Sequence, residues 1–266
     1  MIKVKIKVLS NWSASGGSTV AFCNLVNQFN SRGYDCTFYG PHTYHLNKCK
    51  GALKENFKIE KDDILIAHFI DLPYRPPVRK VILSLHEKDL YPLQQKNYKV
   101  FDKIHYLTET QKSWHNIDHP HFICPNFHTF LQKNPKKVTD IAGIIGSIDR
   151  NKQVHKSILR ALEDGMEEIH IFGTINDEVY FNESVKPIID KNRNKVFLRG
   201  FIENRQEIYD SVSDVYMSSN SENASFVADE CFMTGTVFKG NSNVLEVTSI
   251  VSNEDVFKIW EREVLL

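Results

Sequence analysis

Glu222 and Glu230 form the carboxylate pair whose surroundings invite chemistry, with Asn223-Ala224-Ser225-Phe226-Val227-Ala228-Asp229 between them. On a single helix, eight steps of about 1.5 Å would set their backbones roughly 12 Å apart. A glycosidase acid and base stand about 5 to 9.5 Å apart, so this spacing instead suits holding two ends of one elongated ligand. Ser221, Asn223 and Ser225 are each competent N-caps. A helix is therefore expected to begin within Glu222 to Phe226 and to stop at Gly235. The backbone N–H groups around Asn223, Ala224, Ser225 and Phe226 would then face the preceding loop, where an anion sits well. The plain alternative is a solvated helix face that carries two acids.

Three further stretches place chemically useful residues at element ends. Gly16-Gly17 precedes an apolar-periodic helix, where glycine lets backbone amides approach an anion and equally makes an ordinary strand-to-helix turn. Gly146-Ser147-Ile148-Asp149-Arg150-Asn151-Lys152 closes an apolar run and carries two cations. His86 follows the run Val81-Ile82-Leu83-Ser84-Leu85, with Glu87 and Asp89 beside it as alternatives; a lone histidine after a strand is more often structural. Glu109 reads as a first-turn acid that favours a helix dipole. His115, His119 and His121 fall in a polar stretch where a metal site is conceivable, but the chain has no H-E-x-x-H and the site is not favoured.

The elements that must position these residues are legible as apolar runs. Residues 2–9 alternate Ile and Val with Lys, a half-buried or edge strand. Phe22, Leu25, Val26 and Phe29 recur at helical spacing up to Gly33. Strands follow at 36–40, 64–69, 81–85 and 104–107, short continuous apolar runs of the kind found in a sheet covered on both faces. The stretch 132–137 is polar, charged and broken by Pro135, the best linker in the chain. The pattern then restarts with strands at 141–146, 168–173, 196–201 and 215–217, and with helices at 154–163 and 205–211. An apolar stripe of Val256, Ile259, Trp260 and Val264 marks a terminal helix capped by Ser252 or Asn253. Two α/β sheets in tandem is the reading.

At 266 residues, with 41% hydrophobic and 25% charged residues, the chain is long enough for two ordinary soluble domains. No apolar run approaches a membrane span and no secretory leader is evident, so the expected compartment is cytoplasmic. Cys23, Cys36, Cys49, Cys124 and Cys231 are scattered and read as free thiols. The net charge of zero hides an asymmetry: residues 1–137 carry 20 Lys and Arg against 11 acids, and residues 138–266 carry 13 against 22. A half at +9 suits an anionic partner.

Taken in order along the chain, Gly16-Gly17, Cys124-Pro125-Asn126, the Gly146-to-Lys152 segment and the E-x7-E spacing of Glu222 and Glu230 resemble the retaining glycosyltransferases of family 4, enzymes of the GT-B fold. The resemblance spans nearly the whole chain and is strongest over 141–238. It implies an α/β protein of two Rossmann-like domains whose parallel sheets face across a cleft. Residues 1–136 would form the acceptor side, 137–248 the nucleotide-sugar side, and 249–266 a helix crossing back to the first domain.

By the same resemblance Glu222 lies near the donor sugar as a catalytic residue, and Glu230 holds the ribose hydroxyls. The amides of Asn223, Ala224, Ser225 and Phe226 meet the diphosphate, and Gly16 and Gly17 form the family's glycine loop. The family's G-R-x-x-x-x-K segment clamps the diphosphate with its Arg and Lys. Lys152 is in place, but Ser147 stands at the Arg position, so either Arg150 supplies the charge or Lys152 and the helix amides suffice. Phe127 replaces the glycine that usually follows Pro-Asn. Gly173 and Gly200 fall where the family places glycines, and His86 lies near its reaction centre.

The substrate implied is a nucleotide-sugar, UDP- or GDP-linked, with no cofactor. The D-x-D motif of the other large transferase fold is missing from the sequence, and metal-independent transfer is expected. The +9 half suits an anionic acceptor such as a bacterial surface glycan or lipid-linked precursor at the inner face of the membrane. It suits DNA equally, as in phage-type enzymes that glycosylate a base hydroxyl. Readings of other classes are a nucleotide-sugar epimerase and a non-catalytic nucleotide-sugar-binding module.

Overall fold

The computed structural model describes residues 4–87, 98–133, 138–243 and 250–265. The chain divides into two units, Met1–Thr129 with Val251–Leu266, and Phe130–Ile250.

The first unit runs β1 (Lys5–Ser10), α1 (Gly17–Ser31), β2 (Asp35–Gly40), β3 (Gly51–Leu53), β4 (Ile64–His68), β5 (Lys80–Ser84), β6 (Lys103–Tyr106), α2 (Glu109–His115) and β7 (His121–Ile123). Its sheet has the order β3-β2-β1-β4-β5-β6-β7 with every pair parallel. Phe22, Leu25, Val26 and Phe29 are the buried stripe of α1, and they pack with Ile6, Val8, Phe38 and Ile66 of the sheet.

The alternation of Lys with Ile and Val suggests a half-buried or edge strand, yet β1 lies between β2 and β4 and is buried from Ile6 onward. Lys7 is buried there, and its ammonium meets the buried carboxylate of Asp63 at 2.7 Å. A lysine whose stem packs and whose charge is answered is compatible with a covered strand. Of the three histidines expected in a polar loop stretch, His115 ends α2 and His121 opens β7, while His119 lies in the connection between them. The imidazoles of His115 and His119 lie within hydrogen-bond reach of the carbonyls of Glu87 and Phe101.

The second unit runs β8 (Ile141–Ile145), α3 (Val154–Glu163), β9 (Glu168–Phe172), α4 (Glu178–Tyr180), α5 (Lys186–Lys191), β10 (Val196–Gly200), α6 (Arg205–Asp210), β11 (Asp214–Tyr216), α7 (Phe226–Thr234) and β12 (Val237–Lys239). A wide π turn over Phe181–Val185 joins α4 to α5. The sheet order is β10-β9-β8-β11-β12, again parallel throughout. In both sheets the order reverses beside the first strand, between β1 and β4 and between β8 and β11. Ligands of open α/β sheets settle at such reversals, outside the carboxyl ends of the strands.

Residues 134–137, the heart of the expected linker, lie outside the described residues. Gln132 is tied to the second unit, since its amide donates to Gln206 Oε1 at 2.8 Å and its carbonyl accepts from Gln206 Nε2 at 3.1 Å. The final helix α8 (Asn253–Trp260), capped by the Ser252 hydroxyl, packs into the core of the first unit. Trp260 is 1% exposed, with its ring 4.6 Å from that of His105 and 5.3 Å from that of Phe122.

Candidate functional site

Two loops leave the carboxyl ends of β8 and β11 at the reversal of the second sheet. The first begins at Gly146 and turns on Asp149, whose Oδ1 accepts from the amides of Asn151 and Lys152, both at 2.9 Å. This Asx turn presents Lys152 just before α3 begins. Ser147 spends its hydroxyl on Asp149.

The second loop is stitched to the first along its length. The Asn220 amide donates to Asn151 O at 2.8 Å, Asn220 Nδ2 to Arg150 O at 3.1 Å, and Asn151 Nδ2 to Ser221 O at 3.3 Å. The result is an ion pair between Lys152 Nζ and Glu222 Oε1, with the side chains 26% and 13% exposed. The structure thus joins two residues that lie 70 positions apart in sequence. Arg150 does not join them. Its guanidinium turns outward to Asp177 at 3.1 Å and Glu183 at 3.9 Å.

Helix α7 begins one residue after Ser225, whose hydroxyl accepts from the Ala228 amide at 3.3 Å, and ends on left-handed Gly235. Glu222 therefore precedes the helix rather than lying on it, and the single-helix spacing of the two acids does not apply. Asn223 and Ala224 bridge Glu222 to the cap and are half-buried. Phe226 opens the helix beneath the Arg205 guanidinium, 5.8 Å from its ring centre. Glu230 is 4% exposed; one carboxylate oxygen takes the Arg205 guanidinium and the other the Tyr209 hydroxyl at 2.8 Å. Burial pushes its carboxyl up, against the pull of Arg205 and Tyr209. Asp229 beside it is pushed up to about 7 by burial and by the charge of Glu230.

Gly16, Gly17 and His86 belong to the first unit. Gly16 caps α1 in an extended conformation, and a Cβ there would meet Trp12 Nε1 at an ordinary 3.7 Å, so nothing among the described residues requires glycine. His86 follows β5, half-buried against the rings of Phe22 at 4.6 Å, His68 at 5.2 Å and His105 at 6.1 Å. Burial, with the neighbouring His68 and His105, holds its imidazole well below the usual range, so it is neutral at pH 7. Glu87 places one oxygen 2.9 Å from His68 Nε2 and the other 3.2 Å from the His86 amide. Burial pushes the Glu87 carboxyl up, but His68 and the backbone amides outweigh this and leave it below its ordinary value. Asp89 lies outside the described residues. Among the described residues no group of three His, Cys, Asp or Glu side chains is placed to hold a metal ion.

Asp149, Asn151, Asn220, Arg205 and Tyr209 were not singled out from the sequence. An Asp two and three residues ahead of the amides it caps is a readable signal. The Arg205 and Tyr209 spacing, i and i+4 on a six-residue helix, carries no sign of the partner it serves.

No protein-family model matches the sequence, and no curated protein matches it. Solved structures match along most of its length. TarM superposes with a TM-score of 0.69 at 12% identity, over 98% of this chain and 91% of TarM. The Anabaena protein HepE, solved with UDP and glucose, gives 0.66 at 11% identity, over 89% and 80%. AviGT4, a glycosyltransferase involved in avilamycin A biosynthesis, gives 0.60 at 15% identity, over 95% and 87%. The chain has the GT-B fold. At these identities the likeness is one of architecture, and the two parallel sheets with reversed strand order are its substance.

Proposed function

We propose that the chain is a retaining glycosyltransferase of the family 4 type, which transfers a sugar from a UDP- or GDP-sugar to an anionic acceptor such as a surface glycan or its lipid-linked precursor. The observation that carries this reading is the Lys152–Glu222 pair at the sheet reversal, immediately ahead of the Ser225-capped start of α7. A cation beside a helix N-terminus suits a pyrophosphate, and a carboxylate beside it suits sugar hydroxyls. HepE, of the same fold, was solved with UDP and glucose.

In this reading Lys152 exchanges its contact with Glu222 for the donor diphosphate, which frees Glu222 to orient the sugar. The amides from Asn223 to Phe226 meet phosphate oxygens, and Arg150, which faces Asp177 and Glu183 in the structure, adds charge from the same loop. The negative charge that develops on the departing nucleotide is met by preorganised cations and dipoles, so transfer proceeds without a divalent ion. On the family 4 reading His86, neutral at pH 7, is the residue of the first unit assigned to catalysis. Glu230 takes the ribose.

A panel of UDP-, GDP- and ADP-sugars tests the reading through thermal stabilisation. One class is expected to raise the unfolding temperature, with the shift lost in Glu230→Ala and turnover lost in Glu222→Gln, and with activity unchanged by EDTA. A chain that none of the donors stabilises is not a nucleotide-sugar enzyme.

A further inference from the structure

Glu230 sits on α7 beside Cys231, which belongs to a buried apolar cluster with Ile208 and Tyr209 of α6, and at 4% exposure its carboxylate has little access to solvent. Two groups of α6 answer it from one side: the Arg205 guanidinium at Oε1 and the Tyr209 hydroxyl at Oε2. On its own helix the charged neighbour is Asp229, a second acid. Tyr209 is itself fully buried, and with burial as the main cause its phenol is held well above the usual range, so it stays a donor.

We propose that Arg205 and Tyr209 are positioning residues that hold the Glu230 carboxylate as a double acceptor for the ribose diol of the donor nucleotide. The inference rests on the nucleotide-sugar reading and deepens it. Each carboxylate oxygen has two lone pairs, so after taking one donor from α6 each can still accept one ribose hydroxyl. A protonated carboxyl would lose that symmetry, because one oxygen becomes a donor. Removing the guanidinium leaves a buried carboxylate with an acid beside it and, among the described residues, no other ion-pair partner, which favours uptake of a proton. Arg205 therefore decides whether the diol finds two acceptors, without touching the diol itself.

Calorimetric titration with UDP and GDP identifies the tighter nucleotide, which is then compared with its 2′-deoxy analogue from pH 6 to pH 9. Wild type is expected to prefer the ribonucleotide by tenfold or more across that range. Arg205→Met is expected to lose most of this preference at pH 6.5 and to regain it toward pH 9, while Arg205→Lys retains it throughout. Tyr209→Phe is expected to weaken ribonucleotide binding by a few-fold. Circular dichroism and the unfolding temperature check that each variant folds. Should Arg205→Met not fold, the ribose preference of Arg205→Gln decides the question.

An Arg205 variant that folds and keeps the wild-type preference at every pH overturns the clamp, while Glu230→Gln still reports on the ribose assignment. Wild-type binding that is indifferent to the 2′-hydroxyl and to Glu230→Gln overturns the ribose assignment itself.

Discussion

At the scale of single residues the candidate site centres on one ammonium group. Lys152 and Glu222 neutralise each other, and both are partly exposed, so the pair is modest in energy and exchangeable. Lys152→Ala should weaken donor binding by ten- to a hundredfold, the loss expected when a charge-assisted contact to phosphate disappears. Glu222→Gln should leave nucleotide affinity within a few-fold of wild type and remove turnover, which titration and donor-consumption assays separate. These two residues were legible in the sequence because each belongs to a spaced pattern. Their contact was not, because it depends on Asn220 and Asn151, two loop asparagines whose hydrogen bonds are set only when the loops meet. The acids that the Arg150 guanidinium faces, Asp177 and Glu183, were not legible either, because they come from the start of α4 and the π turn after it.

At the scale of elements, backbone geometry separates glycines that the fold needs from those it does not. Gly173 has a positive φ of 154°, and a Cβ there would stand 1.8 Å from the carbonyl oxygen of Gly146. Gly173→Ala should therefore cost several kcal/mol of stability, measured by denaturant unfolding, because loop and strand end cannot both keep their places. Gly16→Ala should be close to neutral in the same measurement. A fall in donor affinity in that variant, with stability intact, would identify the role of the residue as room for a ligand. The long strands were readable from continuous apolar runs and α1 and α3 from helical periodicity, with Val154 and Glu163 bounding α3 as expected. Strands β3, β7 and β12 were not, because three residues are too few to show a period and, unlike the interior β11, each lies at an edge of its sheet and is mostly not buried. The start of α7 was bracketed correctly because competing caps can be enumerated. The choice of Ser225 among three candidates depends on contacts beyond the local sequence.

At the scale of the whole molecule, the last helix ties the end of the chain into the first unit, and its stability carries a pH dependence that can be worked through. Trp260 is packed against the ring of His105, which is 2% exposed. The Cys124 carbonyl only accepts, so His105 Nε2 donates to it at 2.8 Å and Nδ1 faces the Ser84 hydroxyl at 2.8 Å. Both ring nitrogens are therefore engaged by the neutral imidazole, and burial pushes its pKa down to about 4 from 6.5. Between those two values the unfolded chain binds a proton that the folded chain does not. The contribution of His105 is thus complete above about pH 6.5, falls progressively as the pH drops, and is exhausted near pH 4, a total of roughly 3 kcal/mol. His86, shifted the same way by the same kind of surroundings, steepens the same limb. Unfolding free energies measured from pH 7.5 to pH 4 should decline through this window. In His105→Gln the curve should start lower at pH 7.5 but decline less steeply by about one proton, so that the two curves converge toward pH 4. A variant that keeps the wild-type slope would mean that the buried imidazole does not take up its proton on unfolding, and that the acid limb belongs to carboxylates elsewhere.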